Sequence, residues 1–150
     1  MTDQIGDERI DRHVDKYMVD NHISDPRART FVAELRRFER SGNPTALAEL
    51  FARDATLMRL DARGAREGAA EFWGEYRAQF HELSTTFTNI VEAADEFALE
   101  WTTSATLTDD RPIDYRGVTI IGFDGELIAA LRTYYDTAVF TKAPSADVAR

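Results

Sequence analysis

The run over residues 115–140, YRGVTIIGFDGELIAALRTYYDTAVF, constrains the fold more than any other part of the chain. Asp124-Gly125 interrupts two segments rich in β-branched and aromatic residues, and glycine there accepts the positive φ of a tight turn between twisted antiparallel strands. Val118, Ile120, Ile121 and Phe123 precede the turn; Leu127, Ile128, Leu131, Tyr134 and Tyr135 follow it. Neither arm holds a proline that would break the ladder, so the pattern predicts a long hairpin.

A second hairpin is predicted upstream. Residues 84–92 (STTFTNIVE) and 97–108 (FALEWTTSATLT) alternate in polarity around Ala94-Asp95-Glu96. Asp109-Asp110-Arg111-Pro112 then connects the two hairpins. Earlier segments carry a helical period. Ile10, Val14, Tyr17 and Met18 predict an amphipathic helix over 7–21. Ser24-Asp25-Pro26 supplies a cap and a proline for the first turn of the next helix. That helix turns Ala28, Phe31, Val32, Leu35 and Phe38 inward, sends Arg29, Glu34, Arg36, Arg37 and Glu39 to water, and stops at Ser41-Gly42-Asn43-Pro44. A short helix over 45–52, a short strand over 55–61 and a long helix over 66–83 follow. The last carries Ala69, Phe72, Trp73, Tyr76, Phe80 and Leu83 on one face.

Helix, helix, strand, helix and four long strands is an α+β order. It predicts a curved antiparallel sheet, cone-shaped, with three helices over its concave face and an apolar pocket inside. The length of 150 residues suits one domain: an N-terminal extension over 1–23, a domain over 24–141 and a tail over 142–150. A net charge of −9 opposes phosphate backbones and anionic membrane surfaces, which excludes nucleic acid and membrane as partners at this stage. The absence of cysteine removes disulfides, thiol nucleophiles and thiolate metal sites. No run has the length of a signal-peptide core or a bilayer span, and a cytoplasmic location is expected.

FARDATL (51–57), EFWGEY (71–76), ALEW (98–101), YRGV (115–118) and LRTYYD (131–136) resemble the nuclear transport factor 2-like superfamily, and within it the SnoaL-like, polyketide cyclase-like proteins. The resemblance spans about residues 28–140 and implies a cystatin-like α+β cone that commonly dimerises through its outer sheet face. It implies little about activity, because the same fold hosts isomerases, cyclases, epoxide hydrolases, dehydratases and binding proteins. Steroid-isomerase-like members place a carboxylate base where Arg59 stands, and an oxyanion-hole acid near Val118. Epoxide-hydrolase-like members place an Arg-x-Asp pair at Trp101 and Thr103 and a further Asp near Thr133. Neither set is matched.

Strand alternation puts Leu99, Trp101, Thr103 and Ala105 on one face, with Leu131, Thr133 and Tyr135 on one face of the last strand. The resemblance implies that Trp101, Thr103 and Tyr135 line the cone, with Glu100 and Arg132 outside as a cross-strand ion pair. Arg59 reads equally as an inward clamp for a substrate carboxylate or enolate and as a rim arginine paired with Asp61. His81, near the end of the long helix, is a general acid–base candidate, although a helix C-terminus favours a charged histidine for structural reasons alone. Trp73, Tyr76, Phe80, Trp101 and Tyr135 form an aromatic wall, read both as core and as the lining for a flat, partly apolar ligand. No spacing among His13, His22 and His81 suggests a metal. The expectation is a homodimeric small-molecule enzyme or binding protein. Its ligand is hydrophobic or aromatic, and acidic if Arg59 is a clamp. Any reaction is a cyclisation, isomerisation or dehydration without cofactor, with Arg59, His81 and Tyr135 as catalytic candidates. The alternative is a non-catalytic ligand-binding or dimerisation module.

Overall fold

Asp25 and Pro26 begin the first helix as their chemistry requires. In the computed structural model, which describes residues 22–61 and 63–141, α1 spans Pro26–Ser41. The Asp25 carboxylate accepts the Arg27 N–H at 2.8 Å, and Gly42, at φ 75°, ends the helix by donating its N–H to the Phe38 carbonyl. Ala28, Phe31, Val32, Leu35 and Phe38 face the core. Glu39 joins them at 4 % exposure, against the expectation that it points to water. The helix expected over 7–21 and the tail over 142–150 lie outside the described residues.

The remaining elements are α2 (Thr45–Ala48), β1 (Phe51–Met58), α3 (Ala69–Arg77), β2 (Phe80–Glu92), β3 (Glu96–Leu107), β4 (Pro112–Asp124) and β5 (Leu127–Tyr135). The strands form one curved sheet in the order β1-β5-β4-β3-β2. Both predicted hairpins are present, and Gly125 makes the β4–β5 turn at φ 61°.

Three features differ from the sequence reading. The helix expected over 45–52 ends at Ala48, and β1 begins at Phe51, where it pairs with β5. That pairing is parallel, so the sheet is mixed and not wholly antiparallel. The helix expected over 66–83 ends at Arg77, leaving α1 the longest among the described residues. The cause is a register shift between Phe80 and Glu82 on β2. It places Phe80 and Leu83 on one side three residues apart, a spacing that mimics one more helical turn.

Arg27 locks α1 to the far end of the sheet. Its guanidinium donates to the Ala94 carbonyl (3.0 Å), to Asp95 Oδ1 (3.2 Å) and to the Gly125 carbonyl (2.6 Å), so one side chain ties the helix start to both hairpin turns. It also lies 4.5 Å from the Phe123 ring centroid. On the outer face no Glu100–Arg132 pair forms, because β4 separates β3 from β5. Arg132 approaches Glu96 at 3.9 Å instead, and Glu100 accepts from Asn89. Among the described residues no helix is long and apolar enough to cross a membrane.

Candidate functional site

Strand register arranges the inner face of the sheet in three rungs. Thr85, Thr103 and Tyr115 are opposite one another across β2, β3 and β4. Phe87, Trp101, Gly117 and Tyr135 make the second rung, and Leu99, Thr119 and Thr133 the third. Directly opposed residues share a face, so the rungs present alternating hydroxyl and aromatic groups to the helices above. Gly117 has no side chain on that face, and Trp101 and Tyr135 meet across it with ring centroids 6.0 Å apart.

α1 contributes Phe31, Leu35 and Glu39, α3 contributes Phe72, Trp73 and Tyr76, and Arg59 reaches in just beyond β1. The cavity that these groups enclose has a volume of about 30 Å³, room for one or two waters. Aromatic side chains fill most of the remaining interior. Phe140, in a 3-10 turn over Ala138–Phe140, packs behind the wall against Tyr115 and Tyr135 at 4.9 and 5.9 Å.

Hydroxyl groups are bonded in pairs. Thr85 Oγ1 and Thr103 Oγ1 are 2.8 Å apart, and Thr119 Oγ1 and Thr133 Oγ1 are 2.9 Å apart. The Trp101 indole N–H donates to Thr119 Oγ1 at 2.9 Å. The phenols of Tyr76 and Tyr115 are hydrogen-bonded to each other. Burial raises the pKa of Tyr76, of Tyr115 and of Tyr135, in the last against the opposing charge of Arg59. All three therefore stay protonated, and able to donate, throughout the physiological range. The indole N–H of Trp73 differs from that of Trp101: it is buried and has no hydrogen-bond partner among the described residues.

Glu39 is the only carboxylate among the described residues that line the cavity. Thr85 donates to it twice, through its backbone N–H (3.1 Å) and its hydroxyl (2.5 Å). Burial pushes the Glu39 pKa up from its ordinary value, while the two Thr85 bonds and the charges of Arg36 and Arg77 pull against that shift.

Arg59 combines parts of both sequence readings. It is buried to 8 % exposure and lines the cavity, yet it is already paired. Its donors meet Asp61 Oδ2, the Phe72 carbonyl and Glu75 Oε2, each at 3.3 Å. Arg63 and Arg66 share Glu75 at 2.8 and 2.9 Å, so three guanidiniums and two carboxylates sit together at this end of the site.

Trp73, Tyr76, Trp101, Thr103, Thr133 and Tyr135 all line the cavity with Arg59. Phe80 does not; it packs behind, stacked on Tyr115 and edge-on to Tyr76. His81 lies on β2 and not on a helix, exposed and 3.3 Å from Asp110 Oδ1, because the strand begins where a last helical turn was expected. It is not part of the cavity. The sequence reading missed Glu39, Thr85 and Thr119, and Tyr115 as the partner of Tyr76. The signal for Glu39 was present: it stands four residues after Leu35 and seven after Val32, on the apolar side of α1. No cluster of metal-ligating side chains occurs among the described residues.

A family model described as a SnoaL-like domain matches residues 28–131. No curated protein matches the sequence. Solved structures share the fold. An NTF2-like protein from Anabaena variabilis has a TM-score of 0.69 at 15% identity, covering 75% of this chain and 89% of its own. A protein from Catenulispora acidiphila with a ketosteroid isomerase-like fold, solved with trimethylamine, has a TM-score of 0.64 at 21% identity, covering 73% and 87%. IdmH from Streptomyces antibioticus, a proposed polyketide cyclase, has a TM-score of 0.62 at 22% identity, covering 77% and 95%.

Proposed function

The chain belongs to the family of SnoaL-like domains, and on that footing we propose that it is a small-molecule enzyme or binding protein that takes a compact aromatic ligand into the cone. The observation that carries this reading is the Trp73 indole N–H, buried at the cavity wall with no acceptor among the described residues. A buried donor left unpaired costs about 1–3 kcal/mol, and a ligand oxygen would recover that cost. Around it the protonated phenol of Tyr135 is a further donor, and that of Tyr76 is one when Tyr115 donates to it, so the preferred guest carries acceptor oxygens on a flat apolar frame. If there is a reaction, it is a cofactor-independent cyclisation, isomerisation or dehydration, driven by polarisation of a carbonyl. Admission of such a ligand requires side chains around the 30 Å³ cavity to swing aside.

Binding of 1,4-naphthoquinone and 2-naphthol, read by tryptophan fluorescence and thermal shift, tests this reading. Saturable binding that weakens about tenfold in Trp73→Phe is expected, the equivalent of about 1.4 kcal/mol. No saturable binding of either compound would refute it. The small cavity favours a second reading, a non-catalytic module whose interior is its own core, and that reading expects the refuting result. A homodimer through the outer sheet face and a cytoplasmic location belong to the same proposal, supported by the family resemblance and by composition.

A further inference from the structure

Glu39 is a buried carboxylate on the cavity wall whose hydrogen bonds come from a hydroxyl and a backbone N–H. It projects from α1 into an otherwise uncharged part of the cavity wall, with Thr85 bonded to both of its oxygens and Thr103 bonded to Thr85. When the carboxylate is ionised, Thr85 must donate its hydroxyl proton to Glu39 and so accept from Thr103. When it is protonated, Glu39 can donate to Thr85, which then donates to Thr103. Both states are satisfied by reorienting hydroxyl protons, with no heavy atom moving.

We propose that Glu39 is the proton-transferring residue of the cavity, taking a proton from carbon in a bound carbon acid. The C–H bond breaks, its proton passes to a Glu39 carboxylate oxygen, and the electron pair moves into the ligand to leave an oxyanion. The phenol of Tyr135, and that of Tyr76 with Tyr115 donating to it, supply hydrogen bonds to that oxygen, and return of the proton from Glu39 to a different carbon completes an isomerisation. Thr85 and Thr103 are positioning residues. The charged and titratable groups that act on Glu39 are Arg36 on its own helix, Arg77 and Tyr76 on α3 and Tyr115 on β4. Burial raises the carboxyl pKa, which makes the ionised group a stronger base. The inference rests on the small-molecule reading above and adds the residue that performs the chemistry.

The test uses the full chain and 5-nitrobenzisoxazole, a compact planar compound whose ring opens when a base removes its ring C–H proton. The electron pair then forms a nitrile as the N–O bond breaks, and the single product, a cyano-nitrophenolate, is followed by absorbance. Binding is measured separately by tryptophan fluorescence. Saturable binding with elimination is expected, falling about 100-fold or more in Glu39→Gln and less in Glu39→Asp. Thr85→Val is expected to move the midpoint of the pH–rate profile upward, a change that simple loss of packing would not produce. Glu100→Gln, on the outer face, is expected to leave the rate unchanged. Binding without elimination, or elimination undiminished in folded Glu39→Gln and Glu39→Asp proteins, would overturn the role of Glu39 and leave the binding reading standing. Absence of saturable binding would overturn both.

Discussion

Replacing Gly117 with alanine tests the packing on which the site depends. A Cβ there would lie 2.3 Å from the Tyr134 carbonyl oxygen, 2.6 Å from Tyr135 Cβ and 2.9 Å from Trp101 Cζ2. Carbon contacts are comfortable at about 3.5 Å, so β5 would have to retreat by about 1 Å. Two of the three obstacles are a backbone atom and a Cβ, which no rotamer change can move. Overpacking costs about 1–3 kcal/mol and occasionally more, and this geometry belongs at the upper end. A loss of about 3 kcal/mol lowers Tm by roughly 6–12 °C for a chain of this size. Urea unfolding followed by tryptophan fluorescence measures it. Gly122→Ala on the same strand is the control, because its Cβ would meet only Glu96 Oε2 at 3.9 Å. It is expected to be neutral or to gain about 0.5 kcal/mol from reduced chain entropy in the unfolded state. A Gly117→Ala protein within about 0.5 kcal/mol of the parent would refute the close-packing argument.

Glu39 also makes stability depend on pH. Its folded pKa is raised above the unfolded value, so the folded state binds more protons between the two. Stability therefore falls as pH rises from the ordinary glutamate value of 4.5 through the folded pKa, by at most about 1.4 kcal/mol per pH unit, and Glu39→Gln is expected to remove that slope in urea titrations at stepped pH. Arg27→Ala unties α1 from both hairpin turns and is expected to lower Tm, with Arg27→Lys recovering little because an ammonium cannot span the same acceptors. Arg111 donates to the carbonyls of Val139, Phe140 and Thr141 at 3.1–3.3 Å, so Arg111→Ala is expected to speed proteolysis of the C-terminal turn while the sheet stays protected from hydrogen exchange.

Much of the architecture was legible because the strands and α1 follow simple periods. Leu99, Trp101 and Thr103 alternate into the core as a half-buried strand must, and Asp124-Gly125 marked its turn correctly. Failures came where a long-range contact overrode a local signal. The spacing of Phe80 and Leu83 fits a helix as well as a strand carrying a register shift, and only pairing with β3 decides between them. Phe51 begins a strand because β5 lies beside it, which no neighbouring residue encodes. Glu39 was misplaced because charge was allowed to outweigh its position on the helix; Thr85, from β2, supplies the donors that make its burial tolerable. Arg59 was read as either inward or paired, and a buried guanidinium needs to be both.

The parallel ladder between β1 and β5 fixes when this chain can become native during synthesis. On the ribosome, β1 emerges well before its neighbour, and its hydrogen-bonding edge has nothing to grip until β5 follows. The β2–β3–β4 meander can assemble progressively from adjacent segments, whereas closing the last ladder joins opposite halves of the polypeptide and carries the larger loop entropy. Nascent chains halted before residue 127 should accordingly expose β1 to proteases and chaperones. Those released after residue 135 should bury it.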